Sequence, residues 1–277
     1  MKRRFTIPIF LIVFSLWFWA IIAEPYFMLN IKPINVAVKN FPKGFENIKI
    51  AVIGDIHLGR GPLELWRMKR IIDAVNVQAP DIVIFLGDYT NGYYYQTSAP
   101  ESILTEHLSA IKAPLGKFGI FGNHDISYGQ AKIEKILRAS GIIPICNGNV
   151  KVSTQYGDFY IAAINDALTA SYSYSASLKG ISQKDPVIFL THVPVAAREV
   201  PTWVDFILAG HTHGGQIRLP YVGNIFPLRK TPRILVAGLN EYAGHKVFTT
   251  MGLGTSRFPV RFFCPPEFTV LRIFPTQ

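Results

Sequence analysis

The chain has 277 residues, 49% hydrophobic and 17% charged, with Lys+Arg 28 against Asp+Glu 18 and a formal net charge of +10. That length and apolar share exclude a disordered chain and allow one large domain or two small ones. The basic balance favours anionic partners such as phosphorylated substrates or acidic lipid headgroups. No Lys/Arg run or aromatic-studded basic stripe marks a nucleic-acid arm, so no nucleic-acid partner is expected.

The first element in chain order is apolar. Lys2, Arg3 and Arg4 precede an uncharged run from Phe5 to Ala23, long enough to cross a hydrocarbon core as a helix. Trp17, Trp19 and Tyr26 are placed as interface aromatics. Two readings compete, an uncleaved anchor and a cleaved signal peptide. The stretch from Ala20 to Ala23 lacks a clean small-x-small site and the run exceeds an ordinary signal core, which favours the anchor. Residues 1–27 therefore read as a single-pass anchor in the inner (plasma) membrane. The basic cluster ahead of the helix argues for a cytoplasmic N-terminus with the domain on the far side. Lys32, Lys39 and Lys43 oppose that asymmetry, and the side stays open.

Residues 28–47 carry Pro33 and Pro42 and read as a linker to one domain over 48–277. In that domain one pattern repeats: a short apolar, β-branched run ends abruptly in polar residues. Ile48 to Gly54 leads into Asp55-Ile-His57, and Asp81 to Leu86 into Gly87-Asp88. Gly119 to Phe121 leads into Gly122-Asn123-His124-Asp125, Val187 to Leu190 into Thr191-His192, and Phe206 to Ala209 into Gly210-His211-Thr212-His213. Such runs suit strands buried on both faces. Helical patterns at Leu63 to Val77, Glu101 to Ile111 and Gln130 to Ala139 lie between the early runs. The alternation predicts an α/β sandwich. From Ile217 the chain is rich in Gly, Pro and β-formers and predicts further strands. Residues 165–185 read as a loop, either overhanging a site or simply connecting elements.

The chemistry sits at the strand ends, where ligands bind in α/β sheets. Five of them deliver Asp55, His57, Asp88, Asn123, His124, Asp125, His192, His211 and His213. Carboxylate with imidazole and no thiolate suits divalent Mn, Fe or Zn rather than a closed structural zinc site. Glycines 54, 87, 122, 210, 214 and 215 flank these residues and permit close turns. Taken singly, each residue has a plainer role as a turn residue, a cap or a core histidine. Jointly they do not, because five of the seven histidines fall at strand ends. His107 reads as a helix-surface residue and His245 as structural. Cys146 and Cys264 make no zinc motif or disulfide framework and read as two separate small apolar residues.

The series Asp55-x-His57, Gly87-Asp88, Gly122-Asn123-His124-Asp125, His192 and Gly210-His211-x-His213 resembles the calcineurin-like metallophosphoesterase superfamily. The later stretches from Gly210 to Arg218, Ala237 to Asn240 and Thr249 to Gly254 resemble its membrane-associated bacterial phosphodiesterase branch. The resemblance implies a four-layer α/β/β/α sandwich after the N-terminal transmembrane helix. It implies two divalent cations, manganese ahead of iron or zinc. Asp55, His57 and His213 would hold one, Asn123, His192 and His211 the other, and Asp88 both. His124 would touch the substrate phosphate or protonate the leaving oxygen, and Asp125 would orient His124. One departure from the family pattern is Asn91, where a second aspartate is common.

The expected activity is metal-assisted hydrolysis of a phosphodiester at the membrane, with a hydroxide shared by two ions attacking phosphorus, on a phospholipid or lipid-linked phosphate ester. An alternative is a UDP-2,3-diacylglucosamine-type pyrophosphate hydrolase. A metal-stabilised scaffold without catalysis is a third reading, disfavoured because His124 and Asp125 are both present.

Overall fold

Short β-branched runs become strands, and the amphipathic stretches between them become helices. The computed structural model describes residues 3–226, 228 and 230–276; Lys2 of the leading basic cluster lies outside them. The elements in order are α1 (Arg3–Phe18), β1 (Asn30–Lys39), β2 (Ile50–Ile53), α2 (Pro62–Val77), β3 (Ile82–Phe85), α3 (Glu101–Ser109) and β4 (Lys117–Gly119). There follow α4 (Asn123–Ala139), β5 (Ile142–Pro144), β6 (Gly148–Thr154), β7 (Gly157–Ala163), α5 (Tyr174–Ser177), β8 (Val187–Thr191) and β9 (Phe206–Ala209). The last strands are β10 (Arg218–Leu219), β11 (Gly223–Asn224), β12 (Gly238–Tyr242), β13 (His245–Thr249) and β14 (Glu267–Thr276).

Two six-stranded sheets face each other, in the orders β1-β14-β2-β3-β4-β5 and β12-β13-β9-β8-β7-β6. Strands β2 to β5 run parallel, as do β7, β8, β9 and β13. Alternation along each strand divides the core. Ile50 and Val52 point between the sheets, where they meet Phe159, Ile161, Ile188, Leu190 and Phe206. Ala51 and Ile53 point outward to Met68, Ile71 and Val75 of α2 and, with Val83 and Phe85, to Leu104, Leu108, Ile133 and Leu137 of α3 and α4. Each such side chain, fully buried, contributes about 1.5–3 kcal/mol relative to exposure. The outer face of the second sheet is covered more thinly, by α5 and the 3₁₀ turns Pro194–Glu199 and Arg233–Leu235. The α/β sandwich is as expected, with its fourth layer reduced to these short pieces.

Two expectations change in detail, and one open reading is filled in. The segment expected as a linker forms β1, which pairs in parallel with β14 over its whole length from Asn30↔Glu267 to Lys39↔Thr276. Pro33 is compatible with this because β1 is an edge strand. Helix α4 begins at Asn123, seven residues ahead of the expected start at Gln130, and kinks at Gly129, where φ is 123°. That glycine interrupts the periodicity and hides the first turn. Residues 165–185, for which an overhang and a plain connection were both open, contain the short helix α5. Tyr174 lies on the outer face of the second sheet, its ring 6.1 Å from Phe189 and its hydroxyl donating to the Ala196 carbonyl at 2.8 Å.

Helix α1 continues without a break into a π-helical stretch, Trp19–Phe27. Among the described residues one helix, Pro8–Phe27, is long and apolar enough to cross a membrane. Its residues from Ile9 to Phe18 are exposed, whereas Glu24 and Pro25 are buried against the domain. Cys264 is buried and Cys146 exposed, and both are free, so the apolar reading holds for Cys264 only.

Candidate metal centre

The carboxyl ends of the parallel strands lie along one edge of the sandwich, and each turns sharply there. Asp55, His57, Asp88, His211 and His213 all adopt positive φ, from 44° to 69°. Left-handed backbone is uncommon outside glycine, although Asp and His accept it better than most residues. It costs of order 1–3 kcal/mol per residue and persists where the surroundings enforce it. The enforcement here is a hydrogen-bond ladder beyond the strands. Asp55 N–H donates to Gly87 O and His57 N–H to Asp88 O, both at 3.0 Å.

These turns bring the expected residues together. Asp55, His57 and His213 form one group with ligand atoms within 4.8 Å of one another, and Asp88, His192 and His211 form another. Asp88 Oδ2 lies 3.5 Å from His57 Nε2 on one side and 3.3 Å from His192 Nε2 on the other. His57 Nε2 faces His213 Nε2 at 3.1 Å, and His213 Nε2 is 3.7 Å from Asp55 Oδ1. Asn123 Oδ1 is 3.0 Å from His211 Nδ1. All seven residues expected to hold metal thus converge on one pocket.

The imidazoles are aimed by backbone carbonyls. His192 Nδ1 contacts Leu86 O at 2.7 Å and His213 Nδ1 contacts Gly254 O at 3.4 Å, which turns each Nε2 inward. Space at the centre depends on glycine at Gly122. A Cβ there would strike the Asp88 carboxylate and come 2.7 Å from His192 Cε1.

His124 and Asp125 lie in the first turn of α4. His124 is near the first group, its ring centroid 4.6 Å from that of His57, and it forms a third cluster with His57 and Asp88. Its Nδ1 meets the backbone carbonyl of Asn91 at 2.9 Å. The Asn91 side chain instead donates to Thr97 Oγ1, so the departure from aspartate does not disturb the contact to His124. Asp125 also serves the backbone. Its carboxylate accepts from the N–H groups of Asp88, Tyr89 and Gly122 at 2.7, 3.0 and 3.0 Å. Asp125 therefore clamps two ligand-bearing turns together, because those N–H groups have no strand partner of their own. His107 Nδ1 bonds Ile103 O within α3, and buried His245 bonds Val204 O and Val200 O, as surface and structural residues do.

The electrostatics suit a cation. Burial pushes His57 down to about 3, His211 to about 4 and His213 well below the usual imidazole range, so these rings are neutral at pH 7. Burial alone would raise Asp88, but the surrounding imidazoles, His192 foremost, hold it well below the usual carboxylate range. Burial pushes Asp55 up to about 7, against the pull of His192. The buried His192 Nε2 makes no hydrogen bond, and two inward imidazole nitrogens face each other. Carboxylate, imidazole and amide donors around such orphaned nitrogens fit divalent cations of the Mn, Fe or Zn kind.

Sequence reasoning missed the support beneath this pocket. Leu253 N–H donates to Gly54 O, and a Cβ on Gly252 would lie 2.7 Å from Asp55 Cβ. The loop carrying these residues is held by Arg261, fully buried, which donates to the carbonyls of Met251, Gly252, Gly254 and Cys264. Arg67 of α2 adds bonds to Leu253 O and Ile56 O. The loop itself stood out in the sequence as the stretch Thr249 to Gly254, but nothing marked the lone arginine between Val260 and Phe262 as its support.

Two groups of candidate metal-binding side chains, with Asp88 between them, lie at the rim of an α/β sandwich, an arrangement that fits a pair of divalent cations. Residues 48–215 match the family described as calcineurin-like phosphoesterase, and the chain belongs to that family. It is 31% identical over 260 residues to the uncharacterized metallophosphoesterase YkuE of Bacillus subtilis, covering 92% of this chain and 88% of that one. It is 32% identical over 235 residues to the phosphodiesterase YaeI of Escherichia coli, covering 81% and 82%. A zebrafish (Danio rerio) protein named transmembrane protein with metallophosphoesterase domain is 28% identical over 256 residues, covering 85% of this chain and 55% of that one.

Proposed function

We propose that the chain hydrolyses phosphodiesters at a membrane, on a phospholipid or another lipid-linked phosphate ester, with manganese the favoured ion. The observation that carries the reading is the position of Asp88 Oδ2, 3.5 and 3.3 Å from the Nε2 atoms of His57 and His192, between two ligand groups. The diester preference is supported by the name of the Escherichia coli relative, and the membrane setting by the exposed apolar helix and the name of the zebrafish relative.

Asp55, His57 and His213 would hold one cation, Asn123, His192 and His211 the second, and Asp88 would serve both. When bound, the ions supply Lewis acidity toward phosphoryl oxygens and water of lowered pKa. The residues do the rest. Leu86 O and Gly254 O fix the tautomers of His192 and His213 so that Nε2 carries the lone pair. His124, whose Nδ1–H donates to Asn91 O, carries a second proton on Nε2 in its imidazolium form and would give that proton to the departing alkoxide, returning to neutral imidazole. The glycine at 122 leaves the space that the phosphoryl group and its ligands need.

The test is an assay of the full chain in detergent micelles with defined divalent ions. It compares a chromogenic diester, a chromogenic monoester, a phospholipid and a lipid pyrophosphate. Metal-dependent turnover led by the diester and the phospholipid is expected. No metal-dependent turnover on any of the four would leave a binding scaffold.

A further inference from the structure

A second feature lies beside the metal pocket. Strands β10 and β11 form a small hairpin whose root touches the His213 turn. Arg218 donates to Gly214 O at 3.0 Å, and a Cβ on Gly215 would lie 2.7 Å from Asn224 Cβ. The neighbouring segment 256–263 runs beside it, with Arg218 N–H on Phe262 O and Phe262 N–H on Gln216 O, both at 2.9 Å.

This pair of segments exposes large apolar side chains that a water-facing surface does not need. Leu219, Val222, Phe226, Phe258 and Phe263 are exposed, and Tyr221 at the hairpin tip is fully so. A trough of ≈ 550 Å³ between the hairpin and Phe263 has Arg218 in its wall. Contiguous exposed apolar groups mark an interaction surface rather than scattered chance. Within the two stretches of chain that supply these side chains, the charges are all basic. No Asp or Glu occurs from residue 206 to 240 or from 242 to 266, while Arg218, Lys230, Arg233 and Arg257 do.

The same segment receives the end of the apolar helix. Arg261 N–H donates to Ala20 O at 2.9 Å. The Glu24 carboxylate accepts from the N–H groups of Phe263 and Cys264 and from Trp19 Nε1. The helix is exposed from Ile9 to Phe18 and first meets the domain at residues 20–24. The point where it leaves the domain is therefore also the point beside Phe263.

We propose that the β10–β11 hairpin and segment 256–263 form a platform that inserts into the headgroup region of the bilayer crossed by the helix, so that the metal pocket opens at the lipid surface. The proposal rests on the reading of that helix as membrane-spanning. Because the last turns of the apolar helix lie against residues 261–264, the bilayer surface lies next to those residues. Aromatic and aliphatic side chains rimmed by Lys and Arg are the composition that binds an anionic interface. Substrate would reach the pocket without leaving the membrane.

The test uses the full chain with Cys146→Ser, which leaves Cys264 buried and unlabelled. Single cysteines are placed at Leu11, Tyr221, Phe258 and Lys184, each carrying an environment-sensitive fluorophore. The protein is reconstituted in phosphatidylcholine–phosphatidylglycerol vesicles containing nitroxide-labelled lipid. Probes at Tyr221→Cys and Phe258→Cys should shift to the blue and lose intensity with nitroxide placed near the headgroup. The probe at Leu11→Cys should be quenched by deeper nitroxide, and that at Lys184→Cys by neither. If the Leu11 probe is quenched while the Tyr221 and Phe258 probes behave like Lys184, the helix spans and the platform is wrong. If the Leu11 probe also escapes, the spanning reading fails and takes the platform with it. Shielding of Tyr221 from iodide without lipid quenching would mean that a second copy of the chain covers this face, which also overturns the proposal.

Discussion

His192 Nε2 lies 3.3 Å from Asp88 Oδ2, with both side chains shut off from solvent. Burial alone would lower the imidazole, but the Asp88 carboxylate outweighs it and lifts His192 to about 10. A proton on His192 therefore stands in for a cation in the metal-free chain. A group raised above its unfolded value stabilises the fold fully below about 6.5 and loses that contribution as pH rises through about 10. Metal must displace the proton, so affinity should rise with pH between about 6.5 and 10, and binding should release a proton. Calorimetric titration of the metal-free protein in two buffers of different ionisation enthalpy checks this. Identical heats in both would contradict it.

Gly122→Ala tests the space at the centre. The φ of Gly122 is −106°, so alanine meets no backbone penalty, and the effect isolates the clash with Asp88 and His192. Overpacking of this kind costs about 1–3 kcal/mol. The variant should fold with a lowered Tm and bind metal more weakly than the wild type, read by thermal unfolding with and without ion.

His124 and Asn91 separate ring chemistry from side-chain identity. His124→Gln should retain metal and lose about 10²–10⁴-fold in turnover, as for a general acid. Asn91→Ala should stay close to wild type, because the carbonyl and not the amide meets His124. A large loss in Asn91→Ala would show that the side chain matters after all.

Arg261→Met tests the support under Asp55. It strips charge-assisted bonds from four carbonyls, three of them buried, at a cost of about 3 kcal/mol or more. Denaturant unfolding should show that loss, and hydrogen exchange should show residues 250–254 opening first.

Much of the site was legible because each apolar run ends abruptly in a carboxylate or imidazole flanked by glycine. Asp55, Asp88, His192, His211 and His213 stand at such ends, and the parallel sheets gather the ends along one edge. What was hidden depends on partners remote in sequence. Strand β1 read as a linker because only Val36 and Val38 are buried and its partner β14 is at the other end of the chain. The backbone bonds of Asp125 were hidden because its three donors come from two separate turns. Glu24 and Arg261 are single charges in apolar surroundings, and no periodicity announces a bond spanning 240 residues, such as Glu24 to Cys264.

The central claim is a pair of metal ions sharing Asp88 and driving diester hydrolysis. It is tested most directly by measuring bound metal and diester turnover together in the wild type and Asp88→Ala. The wild type should hold about two ions per chain, and the variant should lose most of both metal and turnover at limiting ion. An Asp88→Ala protein with wild-type turnover at limiting metal would contradict the account.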